Sequence, residues 1–325
     1  MKLSFEPVTR PLEHPFSITG YTFLNLEAVW VTLSQDGLEG RGEGVGVYYL
    51  GDNQQAMLSE LESARARVQG GEDPFEVAKT LESKGAANAL DCAGWDLECK
   101  QQNKSIWKLL ELTPKNLHTV ATIGIGTDEF MAQRASDFSD CQNLKIKLDA
   151  ERPIERVKAV RDARPDANLV IDANQAWTRE MLDGLLPGLA ALGVEMVEQP
   201  LKRGSDADLA GLRSPIPIGV DEGCMNLAEY HEVAKYYDVV NIKLDKCGGL
   251  TPALEIAKQA TEDGKRLMVG NMTGTSLSMA PAFVIGQYCE FVDIDGPLLL
   301  ENDIQNGLQF LQGGEVTPPS DSLWG

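Results

Sequence analysis

Two rhythms of apolar and polar positions divide the chain. In the first, Val29-Trp30-Val31-Thr32-Leu33 reads as a strand, followed by the turn signal Gln35-Asp36-Gly37 and the glycine-rich run Gly40-Arg41-Gly42-Glu43-Gly44. From about residue 53 to 112 the spacing becomes helical. The stretch 87–97 sets Leu90, Ala93, Trp95 and Leu97 where one helix can bury them. Strands followed by helices predict a small α+β domain over residues 1–115.

The second rhythm starts near His118, where short β-rich runs alternate with amphipathic segments. Strands are expected at 119–124, 144–148, 169–172, 195–198, 217–221, 239–244, 267–270 and 291–295. Helices are expected at 154–163, 179–192, 227–236 and 253–264, among others. This alternation predicts β/α units around a parallel sheet, and about eight strands suit a closed barrel better than an open one. No strand is followed by G-x-G-x-x-G, which argues against a dinucleotide-binding sheet. The expected architecture is α/β: a (β/α) barrel over 116–300 with an N-terminal α+β capping domain. The segment 301–325 lacks the alternation and is expected to return and complete the cap. A chain of 325 residues has room for a barrel of ~250 residues and a partner domain.

Composition adds mainly exclusions. Hydrophobic residues make up 43% and charged ones 24%, the balance of a folded globular chain. The formal net charge of −20 would repel nucleic acid. No apolar run reaches spanning length and the start lacks a signal-like apolar stretch, so neither nucleic acid nor membrane is expected as partner. Six cysteines without a C-x-x-C pair suit a cytoplasmic protein with buried thiols. Three histidines in unrelated contexts leave carboxylates as the metal ligands, which favours a hard ion such as Mg²⁺. A homo-oligomer is left open.

The candidate chemistry lies at the strand ends. Apolar runs there terminate in Lys145 and Lys147, Asp172, Glu198, Asp221, Lys243, and Asp293 with Asp295. From Lys147 to Lys243 successive members stand 22 to 26 residues apart, one β/α unit each, so all reach the same barrel mouth. A single such residue reads best as a solvated loop charge or a helix cap. Five on successive strands would be costly to bury without a shared purpose. Three converging carboxylates make a hard-cation site, and a lysine beside a divalent ion and a second lysine is expected to have a lowered pKa, suiting it to act as a base.

Together Lys145-Ile146-Lys147, Asp172-Ala173-Asn174-Gln175, Glu198-Gln199-Pro200, Asp221-Glu222 and Asn241-Ile242-Lys243 resemble the muconate-lactonizing subgroup of the enolase superfamily. The resemblance spans nearly the whole chain and implies an enolase-type barrel. It also implies one Mg²⁺ held by Asp172, Glu198 and Asp221. Lys147 and Lys243 would then be the acid/base pair on opposite faces of the substrate carbon. Lys145 would help hold the substrate carboxylate and the negative charge of an enediolate.

That subgroup hosts several reactions, so the fold does not choose among them. The pair Asp293-Ile294-Asp295, with Asn271-Met272-Thr273-Gly274-Thr275-Ser276, is similar to dipeptide epimerases of the Ala-Glu epimerase group. Alternation would put both aspartates on one face of a last strand, where they would need a cation that the chain does not obviously supply. The resemblance implies that they hold a dipeptide's N-terminal ammonium while the α-carbon of the second residue is inverted, with Thr122 also contacting substrate. It further implies a loop arginine for a glutamate side chain, yet the stretch 16–22 has no basic residue. Tyr21 and Phe23 would suit an apolar side chain, Glu13 or Asp52 a cationic one. Alternatives in the superfamily are N-acyl amino acid racemase, o-succinylbenzoate synthase or a cycloisomerase. A non-catalytic barrel used for binding or scaffolding is the alternative of another class.

Overall fold

The computed structural model describes residues 1–325. An antiparallel sheet of β1 (Lys2–Ile18), β2 (Tyr21–Gln35) and β3 (Leu38–Val45) opens the chain. Strand β1, absent from the expectation above, is an edge strand that tolerates Pro7 and Pro11, and its register breaks between Pro11 and Phe16. The β2–β3 turn is Asp36-Gly37, both at positive φ, the pairing that tight hairpins favour.

The expected helical stretch 53–112 forms α1 (Gln54–Gln69), α2 (Pro74–Lys79), α3 (Lys84–Gln102) and α4 (Ile106–Leu109). The glycine-rich run explains how α3 seats on the sheet. Cβ atoms at Gly40, Gly42 and Gly44 would lie 2.2, 2.2 and 1.9 Å from backbone carbonyls of α3, so only glycine permits the approach. Glu43, between two of these glycines, and Val45, just after them, face the other way: Glu43 meets Thr275 of the barrel and Val45 lines the cavity at its mouth. Leu3, Val29, Val31 and Leu33 of the sheet meet Met57, Leu61, Leu90 and Leu97 of the helices in a separate apolar core.

After β4 (Leu117–His118) the barrel strands follow: β5 (Val120–Ile123), β6 (Asn143–Lys147), β7 (Asn168–Asp172), β8 (Val194–Glu198), β9 (Ile218–Val220), β10 (Val239–Ile242), β11 (Arg266–Val269) and β12 (Phe291–Val292). They form one eight-stranded parallel sheet in chain order. At the seam, Ile294 N–H donates to Thr119 Oγ1 and Thr122 N–H to Asp295 Oδ2, linking β12 to β5. Helices α5 (Asp128–Asp137), α6 (Pro153–Ala163), α7 (Arg179–Ala191), α8 (Leu227–Val233), α9 (Leu244–Cys247), α10 (Leu250–Glu262) and α11 (Ser276–Gly286) connect them. Inside, Val170, Met196, Val239, Met268 and Phe291 form a dry floor.

The last strand is shorter than expected. It stops at Val292, so Asp293 and Asp295 lie in the segment that follows rather than alternating along a strand. The Asp293 N–H still donates to Val269 O, whereas Asp295 precedes a short turn of helix at Gly296–Leu299. The tail pairs β13 (Glu315–Val316) with β4, and it packs on α3 through Trp324 Nε1–H donating to Cys92 O.

Candidate active site

Strand alternation sorts β6 into two faces. Leu144 and Ile146 point out into the helix-facing core, and Lys145 and Lys147 point into the barrel. Parallel register then sets Lys147 beside Asp172 and Asp172 beside Glu198 in one row. Asp221 and Lys243 come next, each just past the end of its strand. Asp172, Glu198 and Asp221 are fully buried, with ligand oxygens within 4.8 Å of one another.

The lysines close on these carboxylates. Lys145 Nζ lies 2.7 Å from Glu198 Oε2, 2.8 Å from Asp293 Oδ2 and 3.3 Å from Asp172 Oδ2. Lys147 Nζ is 2.6 Å from Asp172 Oδ2, and Lys243 Nζ is 2.6 Å from Asp221 Oδ2. Burial pushes the Lys243 ammonium down, but Asp221, with Glu198 and Asp172 behind it, outweighs burial and holds its pKa above the ordinary value. The same balance holds Lys145 well above the ordinary value. The expected lowering rests on a divalent cation beside the lysine; the carboxylates themselves act in the opposite direction.

The triad fits a hard cation by its chemistry. Glu198 Oε2 and Asp221 Oδ1 are buried without a directed hydrogen bond, although ammonium groups stand within 2.7 Å of each. Such oxygens are suited to ligating an ion. Burial and the neighbouring Asp172 carboxylate raise the Glu198 pKa, a cost that a divalent ion would relieve.

The aspartate pair is partly corrected. Asp293 has a cation inside the protein, Lys145, which the tertiary fold carries across the barrel from β6. Asp295 has none within ion-pair distance: it accepts from Thr122 N–H at 2.7 Å, and burial with the Asp293 charge pushes its pKa up to about 7. Asn271 Nδ2 donates to Asp293 Oδ1 at 2.8 Å and to Asp293 O at 3.0 Å. Thr122, Lys147, Lys243, Asp293 and Asp295 all line one cavity of about 340 Å³. Lys145 lies beneath it, among the carboxylates.

The capping domain supplies the outer wall. Phe16, Ile18, Phe23 and Tyr48 line the cavity, and the only acidic residues on this side are Glu27 and Asp52. Thr19 Oγ1 donates to Leu148 O at 3.1 Å, tying the β1–β2 hairpin tip to the barrel. Of the candidates for side-chain recognition, Phe23 and Asp52 line the cavity, whereas Tyr21 and Glu13 do not.

Several residues had no assigned role in the sequence. Asn241 Nδ2 donates to Glu198 Oε1 at 2.6 Å, and Lys246 Nζ lies 2.6 Å from Asp221 Oδ1. Glu222, raised to about 7 by burial and then by Asp221, accepts from Asn174 Nδ2 at 3.2 Å. Their signal was position: two residues before Lys243, one helical turn after it, and directly after Asp221. Asn174, Gln175 and Gln199 adopt positive φ just beyond β7 and β8, strain of the kind concentrated at working sites.

Residues 2–111 match the mandelate racemase / muconate lactonizing enzyme N-terminal domain, and residues 129–322 match the enolase C-terminal domain-like family. The chain belongs to the enolase superfamily, in its mandelate racemase and muconate lactonizing enzyme branch. It is 38% identical to the L-Ala-D/L-Glu epimerase of Escherichia coli (strain K12), over 93% of this chain and 95% of that one. It is 37% identical to the N-acetyl-D-glutamate racemase of a Pseudoalteromonas species, over 77% and 79%. A dipeptide epimerase from Enterococcus faecalis V583, solved with Mg and L-Leu-L-Tyr, superposes with a TM-score of 0.91. That protein is 28% identical, with 98% of this chain and 96% of the other covered.

Proposed function

We propose that the protein is an isomerase, a Mg²⁺-dependent dipeptide epimerase that inverts the α-carbon of the second residue. The observation that carries this reading is the placement of two lysines. Lys147 and Lys243 belong to strands four apart in a ring of eight, so they face one cavity from opposite sides, with Asp293 and Asp295 on its wall. One lysine, as the free amine, takes the α-proton. The other, as the ammonium, returns a proton to the opposite face of the enediolate. Lys145 adds fixed positive charge beside the developing anion. Asp172, Glu198 and Asp221 would hold Mg²⁺, which would supply positive charge to polarise the substrate carboxylate and to offset the carboxylates that hold the Lys145 and Lys243 pKa values above their ordinary range.

Asp295, buried and without a cation, is suited to a substrate ammonium, and Thr122 lies beside it. Opposite, the cap wall of Phe16, Ile18, Phe23 and Tyr48 suits an apolar second side chain. The named substrates of the two curated relatives contain glutamate, but here a glutamate side chain would meet Glu27 and Asp52 and no arginine or lysine on that wall. Residues 1–115 with 301–325 act as the cap in this reading, and 116–300 as the catalytic barrel.

The Pseudoalteromonas relative favours a second reading, racemisation of an N-acyl amino acid, which has no ammonium for Asp295. A library of L,L-dipeptides in D₂O with Mg²⁺ decides between them. Deuterium at the second α-carbon and appearance of the L,D isomer are expected. No exchange with any dipeptide, or faster exchange with N-acyl amino acids, would overturn the first reading.

A further inference from the structure

Glu43 is a buried carboxylate that touches no reacting group. It sits on the barrel-facing side of β3, 1% exposed, and three donors converge on it. Trp30 Nε1–H reaches Oε2 at 2.6 Å, Thr275 N–H reaches Oε1 at 2.8 Å, and the Thr275 hydroxyl reaches Oε2 at 2.5 Å. The Thr275 hydroxyl also accepts from Leu277 N–H, capping α11, whose helix dipole favours a carboxylate at that end. Glu43 is thereby the cap's polar anchor on the loop between β11 and α11.

That loop runs straight into the aspartate pair. At one end Asn271 Nδ2 holds Asp293 Oδ1 and its carbonyl, with Asp295 Oδ1 at 3.4 Å. At the other end Gly274 is pinched. A Cβ there would lie 3.0 Å from Glu43 Oε1, and a Cβ on Gly296, the residue after Asp295, would lie 2.7 Å from Gly274 N. Backbone thus contacts carboxylate on one side and the Asp295-Gly296 segment on the other.

We propose that Glu43 is a positioning residue: through Thr275 it fixes the 271–275 loop, and with it the Asn271 and Gly296 contacts that orient Asp293 and Asp295. It acts on recognition of the substrate amine and not on Lys147 or Lys243. The inference rests on the reading of those aspartates as the ammonium site.

Only a carboxylate satisfies this arrangement, since the amide of Glu43→Gln must turn its NH₂ toward either Trp30 Nε1–H or Thr275 N–H. The comparator is Asp303, which accepts from Ser276 N–H and Oγ–H at the same helix end without touching the 271–275 loop. The test measures KM and kcat, with Mg²⁺, for an apolar dipeptide and for its analogue with propionyl in place of the N-terminal alanyl group. For Glu43→Gln the dipeptide KM should rise about ten-fold while kcat moves far less, and the preference for the free amine should fall by the same factor. Asp303→Asn should keep that preference. Wild-type preference fully retained in folded Glu43→Gln, or lost equally in Asp303→Asn, overturns the proposal. If Glu43→Gln does not fold, Thr275→Val decides, with about three-fold expected and an unchanged preference counting against it. A wild-type enzyme indifferent to the amine would instead overturn the ammonium reading itself, so the two failures are told apart.

Discussion

The barrel's interior has two storeys built on the same strands. The lower inward positions carry Val170, Met196, Val239, Met268 and Phe291, all apolar and all buried. The upper positions carry Lys145, Lys147, Asp172, Glu198 and, just past the strands, Asp221 and Lys243, equally buried and all charged. Alternation and burial are alike; the chemistry is opposite. The floor gains free energy from removing apolar surface from water. The mouth gives some of that up, because buried ion pairs rarely recover their desolvation cost. A charged storey held at such a cost is the mark of a site rather than of a core.

The comparison breaks most visibly at the lysines. Lys147→Ala and Lys243→Ala should each reduce epimerisation by at least about 10³-fold. Each should leave α-deuterium exchange from only one epimer, read by NMR; exchange intact from both would refute a two-base site. Asp221→Asn should abolish the activity and weaken Mg²⁺ binding, measured by titrating the ion into the chelated protein by calorimetry. On the floor the effects should be reversed. Met196→Ala should cost about 2–5 kcal/mol in unfolding free energy, seen as a lower midpoint in urea, with kcat per folded molecule nearly unchanged.

Selectivity and pH give smaller effects. A dipeptide with glutamate second should have a kcat/KM about ten-fold or more below that of its leucine counterpart, and the opposite order would show that the apolar wall does not select the second side chain. Asp245 tests the seam between cap and barrel. Its Oδ1 accepts from Val45 N–H at 2.9 Å and Asn88 Nδ2–H at 2.7 Å, and burial raises its pKa to about 7. The folded state therefore holds a proton that the unfolded state has released between the ordinary aspartate value and 7. That stabilisation is fully present at low pH and is lost as pH rises through 7. The thermal midpoint should fall from pH 5 to 8, and Asp245→Asn, which keeps both hydrogen bonds, should flatten the decline.

Much of this was legible without coordinates. Periodicity located the eight barrel strands because parallel buried strands read as short apolar runs, and the charges ending them stood out by contrast. The errors fell where pattern is silent. Strand β1 hid behind its prolines, and β12 ended three residues early because Asp295 starts a turn.

What the sequence by itself determined is the row of charges and its spacing, since one β/α unit per residue leaves a barrel little choice about where they meet. The tertiary structure alone decided who pairs with whom. Lys145 reaches Asp293 from 148 residues away, and Glu43 reaches Thr275 from 232. The first helps hold the Lys145 pKa above its ordinary value, and the second ties β3 of the cap to the loop before α11. No local pattern encodes them, because they depend on closing the ring and on seating the cap over its mouth.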